Sequence, residues 1–104
     1  MSKIDIDLIN YKVILLNTLR KSLFKLPKKD QSKILEKLES LENNEQDLLD
    51  IKKLKNFKTL YKIRSGDYRI IYNKNDNKKE FVVTLICHRK EVYKLLANLE
   101  SAIS

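Results

Sequence analysis

Residues 61–72, with the sequence YKIRSGDYRIIY, predict a β-hairpin, and the other elements of the chain can be arranged around it. On its first strand Lys62 and Arg64 alternate with Tyr61 and Ile63, so charged and apolar side chains are expected on opposite faces. The SGD sequence at its centre is typical of a tight turn, because glycine accepts backbone angles that other residues avoid. The hairpin is therefore predicted to carry a basic face.

A third strand and a terminal helix are predicted after the hairpin. Residues 75–77 (NDN) form a second turn that leads into residues 81–87, FVVTLIC, whose unbroken apolar character is typical of an interior strand. With residues 68–73 this gives a three-stranded antiparallel meander. From Val92 to Ile103 apolar side chains recur at helical spacing, which predicts a helix at the end of the chain.

Upstream of the hairpin the sequence predicts one strand and two helices. The apolar, partly β-branched run at residues 11–16 favours a strand. Asn17 can cap the helix that follows, and Pro27 ends it because proline lacks a backbone N–H. Residues 33–41 separate apolar from charged side chains at helical spacing, which predicts a second helix in an antiparallel hairpin with the first. The acidic segment 42–47 is predicted as a loop.

The element order predicts an α+β domain. The basic segment after the acidic loop is expected to be irregular, with three apolar side chains holding it against the core: Ile51, Leu54 and Phe57. The resulting order, β-α-α-β-β-β-α, predicts one domain over residues 1–104, with the two-helix hairpin packed on one face of a mostly antiparallel sheet. The opposite face is then partly open and offers a groove. Residues 1–10 are an N-terminal extension, and residues 94–104 belong to the C-terminal helix.

The charge of the chain is concentrated in one segment. Its 104 residues carry a formal net charge of +8. Seven cations against one acid, Asp67, give +6 between Lys52 and Arg69 alone. Clustered Lys and Arg attract polyanions, of which nucleic acid is the better match here than a membrane surface. No apolar run approaches the roughly 18 residues that a membrane-spanning helix needs. Asp5 and Asp7 interrupt the apolar stretch that a signal peptide would need. We expect a cytoplasmic protein.

Metal and disulfide chemistry have little support in the sequence. Cys87 is the single cysteine, so no internal disulfide can form, and the chain has one histidine and no CxxC spacing. We therefore expect no metal site and no cofactor. Cys87 is interpreted as a small buried hydrophobic residue. Three tyrosines are interpreted as packing residues rather than base-stacking platforms: Tyr61, Tyr68 and Tyr72.

Three segments, taken in order, resemble the RelE branch of the RelE/ParE toxin superfamily. They are LPKKDQSKILEKLESL at residues 26–41, DIKKLKNFKTLYKIRSGDYRIIY at 50–72 and HRKEVY at 88–93. The hairpin followed at this distance by HRKEVY is the more specific part of the likeness. The resemblance extends over residues 11–93 and implies a toxin of a bacterial or archaeal toxin–antitoxin pair that stops translation by cutting mRNA, usually in the ribosomal A site.

The resemblance also implies a partner and a set of site residues. The partner is a cognate acidic antitoxin that wraps the toxin in a hetero-oligomer and silences it. By motif, phosphate binding and catalysis are implied for Lys62, Arg64, Arg69, Arg89 and Tyr93. His88 is a sixth candidate. The remaining cations of the basic segment are expected to bind the RNA backbone: Lys52, Lys53, Lys55 and Lys58.

Metal-free RNA cleavage assigns different tasks to these side chains. It needs a base for the 2′-OH, cations for the pentavalent phosphate and assistance for the departing 5′-oxygen. The three arginines are interpreted as phosphate clamps because a guanidinium stays charged, and Arg89 could also assist the leaving oxygen. Tyr93 is the favoured base, since it follows a strand end among charges. Lys62 is one rival, and His88 is the other because imidazole titrates near neutral pH unaided.

Two other functions stay open at this point. A ParE-like toxin shares the fold but inhibits DNA gyrase and needs no RNA-cleaving residues. The joint presence of Arg69, Arg89 and Tyr93 favours the cleaving type. An inactive module that only binds RNA would need no more than the basic face. Taken alone, Lys62 and Arg64 would be interpreted as a solvated strand face.

Overall fold

A computed structural model describes the backbone of residues 11–103 and the side chains of residues 11–98. The predicted extension 1–10 therefore lies outside the described residues, as do the side chains of Leu99 and Ile103 in the predicted terminal helix. Within the described part of the chain, no helix is both long and apolar enough to cross a membrane.

The described chain is an α+β fold, as predicted. Its elements are β1 at Lys12–Leu15, α1 at Asn17–Phe24, α2 at Lys28–Glu42, a 3₁₀ turn at Gln46–Leu48, β2 at Ile51–Lys53, β3 at Leu60–Ser65, β4 at Tyr68–Asn75, β5 at Glu80–His88 and α3 at Val92–Ile103. One sheet contains all five strands in the order β1-β5-β4-β3-β2. Strand β1 runs parallel to β5, and the other neighbours are antiparallel.

The predicted hairpin is confirmed as β3 and β4. Arg64 lies opposite Arg69, and Ser65 lies opposite Tyr68 next to the turn. Gly66 has φ of +58° there, a left-handed conformation in which a side chain would be strained. The predicted interior strand is confirmed as well, because β5 lies between β1 and β4.

Different helices cover the two faces of the sheet. On the face that we call the packed face, α1 and α2 bury their apolar side chains against the strands in one core: Leu23, Ile34, Leu38, Leu41, Ile63, Ile70, Tyr72, Phe81 and Val83. On the other face, which we call the basic face, α3 forms a smaller core with the strands: Leu60, Ile71, Cys87, Val92 and Leu96. The face opposite the helical hairpin is thus only partly open, because the terminal helix covers one portion of it.

The tyrosines and the cysteine interpreted as packing residues do pack against their neighbours. The rings of Tyr61 and Tyr72 stack at 5.4 Å between centroids, and Phe81 meets Tyr72 edge-on at 5.1 Å. Burial, followed by the neighbouring Tyr61, raises the pKa of Tyr72 to about 12. Cys87 is buried, and burial is the main cause that raises the pKa of its thiol to about 11.

Two local predictions were wrong. Asn17 does not cap α1. The cap position falls on Leu16, which has extended backbone angles and no side-chain bond to the helix, because β1 leads into α1 with a single residue between them. The segment predicted to be irregular contains an edge strand, β2, in which Lys52 pairs with Lys62. Short strands rich in lysine are typical of sheet edges.

Candidate active site

Four cations from three neighbouring strands converge on the basic face. Lys52 of β2 lies opposite Lys62 of β3, and Arg64 of β3 lies opposite Arg69 of β4. Since side chains alternate along a strand, Lys62 and Arg64 of β3 point to the same face of the sheet. The four cations line a cavity of about 110 Å³, which we call the phosphate cavity. Asp50 also lines it, immediately before β2.

Among the described side chains, the cations of the phosphate cavity form no ion pair with a carboxylate, although Asp50 lines the same cavity. The ion pairs among the side chains of residues 11–98 are Lys74 with Asp76 and Arg89 with Asp67. Like charges directly opposite each other on adjacent strands destabilise a sheet. The arrangement therefore concentrates positive potential at a cost in stability, and an anion bound there would relieve that cost.

Arg69 and Arg89 are both held on the β3–β4 turn. The Arg69 Nη1 donates hydrogen bonds to the carbonyl oxygens of Gly66 and Tyr68, each at 2.8 Å. The Arg89 backbone N–H donates to the Asp67 carbonyl at 2.7 Å, and its Nε lies 3.7 Å from the Asp67 carboxylate. Both members of this ion pair are well exposed, and such pairs contribute only about 0–1 kcal/mol. The Arg89 guanidinium can therefore leave the Asp67 carboxylate for an anion that it binds more tightly.

Tyr93 reaches the basic face from the first turn of α3. Its hydroxyl oxygen accepts a hydrogen bond from the Lys62 Nζ at 3.4 Å, and the same ammonium lies 5.3 Å from the ring centroid. The side chain is 70% exposed, while its neighbour Val92 and Leu96, one helical turn on, are buried against the sheet. The packing of α3 therefore holds Tyr93 beside Lys62, one of the cations that line the phosphate cavity. A hydroxyl and an ammonium in contact can exchange a proton with a bound substrate.

His88 is separated from these residues. It lies opposite Tyr68 in the sheet, with the two rings edge-to-face at 5.5 Å, and its Nδ1 accepts a hydrogen bond from the Lys90 backbone N–H at 3.2 Å. Neighbouring Cys87, opposite Arg69, belongs to the basic face, so His88 points to the packed face. The candidate residues that the structure brings together are Lys62, Arg64, Arg69 and Tyr93, with Arg89 at the adjoining turn.

A larger groove adjoins the phosphate cavity. It has a volume of about 650 Å³ and shares Lys52 and Lys62 with the cavity. Its other lining residues come from the β2–β3 connection and α3: Lys53, Leu54, Lys55, Asn56, Phe57, Tyr93, Leu96 and Ala97. Three of the four lysines predicted to bind RNA therefore lie along this groove, and Lys58 lines a neighbouring hollow.

Sequence reasoning did not identify two polar residues of this region, Asp50 and Asn56. Asp50 could have been suspected as the acid that directly precedes a basic segment. Asn56 belongs to an aperiodic connection and carries no sequence signal. Among the side chains of residues 11–98, no three His, Cys, Asp or Glu groups come close enough to hold a metal ion.

Comparison with known proteins connects this geometry with a family. The sequence profile of the ParE toxin of type II toxin–antitoxin systems, parDE, matches residues 13–93. No curated protein sequence matches the chain.

Solved structures of RelE proteins have the same fold. A chain in the archaeal RelE–RelB complex from Pyrococcus horikoshii OT3 matches with a TM-score of 0.66 and 30% identity, covering 78% of this chain and 97% of that chain. A chain in the RelB–RelE antitoxin–toxin complex from Methanococcus jannaschii matches with a TM-score of 0.67 and 28% identity, covering 79% of this chain and 96% of that chain.

Escherichia coli toxin RelE in the free state, with two arginines replaced by alanine, gives a TM-score of 0.63 and 27% identity, covering 83% of this chain and 93% of that chain. The family profile spans most of the chain, and the archaeal match covers nearly the full length of its counterpart. The chain therefore belongs to the RelE/ParE superfamily of toxins from type II toxin–antitoxin systems.

Proposed function

We propose that this toxin is an endoribonuclease that cuts mRNA without a metal ion, while the ribosome holds the RNA, and thereby stops translation. The observation that carries the proposal is the contact between Lys62 and Tyr93 beside Arg64 and Arg69 on one face of the sheet. Proton-transfer groups and phosphate-binding groups are thus adjacent, and cleavage of an RNA phosphodiester by its own 2′-OH needs both.

The phosphate cavity supports RNA binding. Its four cations outnumber the one carboxylate that lines it, Asp50, and form no ion pair among the described side chains. Guanidinium groups bind phosphate oxygens through paired, charge-assisted hydrogen bonds. Arg64 and Arg69 would hold the scissile phosphate, and Lys52 would neutralise it. The lysines of the β2–β3 connection would contact neighbouring phosphates, which makes binding dependent on salt concentration.

The chemistry follows from the position of Tyr93. Its deprotonated hydroxyl accepts the proton of the 2′-OH, the 2′-oxygen attacks the phosphorus, and the bond to the 5′-oxygen breaks to leave a 2′,3′-cyclic phosphate. The Lys62 ammonium stabilises negative charge on the Tyr93 oxygen before the transfer. Arg89 stabilises the departing 5′-oxygen, which takes a proton from water. Lys62 is the alternative base, whereas the position of His88 on the other face speaks against that role.

Dependence on the ribosome fits the openness of the site. Tyr93 is largely exposed, so the proposed base does not lie in an enclosed pocket. A site of this kind does not by itself align the 2′-oxygen with the leaving group. External alignment of the RNA can supply up to about 7–11 kcal/mol of the barrier reduction. The ribosome would provide that alignment.

Mapping of RNA ends tests the proposal. Purified toxin is incubated with assembled ribosomes carrying mRNA, and separately with the same mRNA alone. We expect new ends with cyclic phosphates on the ribosome, and loss of cleavage in Arg69→Ala and in Arg89→Ala while both variants stay folded. RNA binding without cleavage would reduce the protein to a binding module. Cleavage of naked RNA at the same rate would contradict dependence on the ribosome.

A ParE-like action on DNA gyrase is the second candidate, and the match to the ParE family profile favours it. Supercoiling of a relaxed plasmid by gyrase, measured with increasing toxin, tests this function directly. Inhibition that persists in Arg69→Ala and Arg89→Ala, together with intact mRNA on ribosomes, would replace the ribonuclease proposal.

We further propose an acidic antitoxin partner for this chain. Archaeal RelE matches were solved as toxin–antitoxin complexes. An acidic tail would neutralise the basic face or displace α3, which holds Tyr93 beside Lys62. Association should then be fast and salt-sensitive, with hydrogen-exchange protection changing near Arg69 and Tyr93. An association rate independent of ionic strength, with unchanged protection, would contradict this.

A further inference from the structure

The phosphate cavity and the larger groove differ in chemistry although they share a border. The cavity of about 110 Å³ is lined entirely by charged side chains. The groove of about 650 Å³ has a charged rim and an apolar wall, which contains Leu54, Phe57 and Leu96. Pockets that bind small organic groups have volumes of about 300–1,000 Å³ and are mostly apolar, with a few polar groups that set orientation. The groove is therefore suited to a group that is larger and less polar than a phosphate.

We propose that this groove binds the nucleoside on the 5′ side of the bond that is cut, and that Asn56 reads its base. The inference rests on the proposed ribonuclease function and extends it to substrate recognition. Tyr93 lines the groove and contacts Lys62, which borders both the groove and the phosphate cavity. If Tyr93 takes the proton of the attacking 2′-OH, the ribose that carries this hydroxyl must lie within hydrogen-bond distance of it. That ribose belongs to the nucleotide 5′ of the cut.

The groove offers surfaces against which a base can lie. The Tyr93 ring is exposed, and Phe57 is half-buried with one part of its ring packed on the small core of the basic face. Unpaired bases of single-stranded RNA bind proteins by stacking on aromatic rings and by hydrogen bonds to their edges. The lysines on the rim remain available for the flanking phosphates.

Asn56 is the residue suited to discriminate between bases. Apart from Tyr93 it is the one uncharged polar side chain in the groove lining, and its amide has both a donor and an acceptor. Lysine donates only. The connection that carries Asn56 is anchored at its base, because the Leu54 N–H donates to the Leu60 carbonyl at 3.0 Å and the Lys74 N–H donates to the Thr59 carbonyl at 2.9 Å.

The first test measures sequence preference. Cleavage sites are mapped on ribosomes programmed with an mRNA library for wild type, Asn56→Ala and the matched control Asn77→Ala, which changes an exposed position in the β4–β5 turn that lines neither the groove nor the phosphate cavity. We expect Asn56→Ala to reduce discrimination at the position 5′ of the cut by at least about fivefold, the lower limit for a lost base contact. Preferences 3′ of the cut and the profile of Asn77→Ala should not change. An unchanged 5′ preference in Asn56→Ala overturns the inference and leaves the ribonuclease proposal intact.

The second test does not depend on cleavage. Backbone NMR signals are followed during titration with inorganic phosphate and with a dinucleotide whose 5′ sugar is deoxyribose, which cannot be cut. Phosphate should shift the signals of the phosphate cavity, at Lys52, Lys62, Arg64 and Arg69, and leave those of Asn56, Phe57 and Ala97 unchanged. The dinucleotide should also shift Asn56, Phe57 and Ala97, and Phe57→Leu should weaken its binding by about fivefold or more.

The outcomes separate the two proposals. Groove signals that move with the dinucleotide, together with cleavage by wild type, support the inference. If these signals move but wild type cuts no RNA, the ribonuclease proposal is refuted and with it the assignment of the groove to the 5′ side of a cut, while the groove remains a nucleoside-binding site. Groove signals that do not move with the dinucleotide overturn the inference. If they respond instead to polyglutamate, the groove is a docking site for an acidic protein partner and the inference is likewise overturned.

Discussion

The two faces of one sheet have different structural roles in this toxin. On the packed face Ile63, Ile70 and Val83 are fully buried, and aromatic rings stack across neighbouring strands. On the basic face α3 covers one portion, and Arg64 and Arg69 lie directly opposite each other in the rest. The first arrangement stabilises the fold, and the second reduces its stability. The comparison teaches that a stable core and a concentration of like charges can be assigned to opposite sides of a single layer of strands.

This division has a physical reason. A residue on a strand points to one face only, so alternation lets adjacent residues serve different purposes without compromise. Ile63 lies in the packed face between Lys62 and Arg64, which point to the other side. Substitutions on the packed face should therefore change the free energy of unfolding, and substitutions in the phosphate cavity should change chemistry while the fold persists.

Tyr93→Phe should produce the largest effect. The change keeps the ring and removes the hydroxyl that contacts Lys62, so cleavage should fall by about 100- to 10,000-fold, the usual range for loss of a general acid or base. Single-turnover cleavage measures the rate, while RNA affinity and the thermal midpoint serve as controls and should stay near wild type. A Tyr93→Phe variant that cuts normally would transfer the base role to Lys62.

Ile70→Ala should produce the next largest effect, on stability alone. Ile70 is fully buried on the packed face, and truncation of such a side chain costs about 2–5 kcal/mol. Urea unfolding measures the loss. Leu48→Ala is the matched control, since Leu48 is 68% exposed and its truncation should change stability by about 0.5 kcal/mol or less. If Ile70→Ala left stability unchanged but abolished cleavage by folded protein, the division between the faces would be wrong.

Much of the fold could be predicted from local patterns. Period-two alternation around the SGD turn gave β3 and β4, and the apolar run gave β5. Strand β2 could not be predicted in this way, because three residues are too few to establish a period. The side of the sheet to which α3 packs was also beyond local reasoning, since that choice depends on which strand residues remain uncovered after α1 and α2 have packed.

Local sequence patterns also failed to predict the face of the sheet to which His88 points. Strict alternation from Phe81 and Val83 would place Cys87 on the packed face and His88 on the basic face. However, the pairing shifts by one residue at Thr84, between the Tyr72–Val83 and Ile71–Leu85 pairs, and this bulge exchanges the two faces for the rest of β5. The contact between Lys62 and Tyr93, 31 residues apart, likewise depends on tertiary packing.

A smaller, pH-dependent effect should come from Tyr72 on the packed face. Burial raises its pKa to about 12 in the folded protein from 10.0. Folding favours the neutral phenol. The resulting contribution to the free energy of unfolding is complete below about pH 10 and is lost as the pH rises towards 12. Because lysines and Cys87 also titrate at high pH, the measurement is the difference in urea midpoint between wild type and Tyr72→Phe at pH 9 and at pH 11.5. The stability of wild type relative to Tyr72→Phe should fall between these values. A constant difference would mean that Tyr72 is not protected from solvent.

The smallest effect, a gain in stability rather than a loss, should come from Arg64→Gln on the basic face. The change keeps most of the side-chain length and removes one of two like charges directly opposite each other, an unfavourable pairing of about 0.2–1 kcal/mol. The variant should therefore be slightly more stable than wild type in low salt, and the difference should shrink as added salt screens the repulsion. Arg20→Gln on α1, which removes an exposed arginine away from this face, is the control and should show little gain.

Phosphate should reverse the order of stability. An anion that binds only the folded protein stabilises it by mass action, so millimolar phosphate should raise the thermal midpoint of wild type more than that of Arg64→Gln. The stability lost to the Arg64–Arg69 pairing would then be recovered when substrate binds, as expected for residues retained for binding at the expense of the free protein. If Arg64→Gln destabilises the protein in low salt and phosphate raises both midpoints equally, then Arg64 is a structural residue and the phosphate cavity does not extend to it.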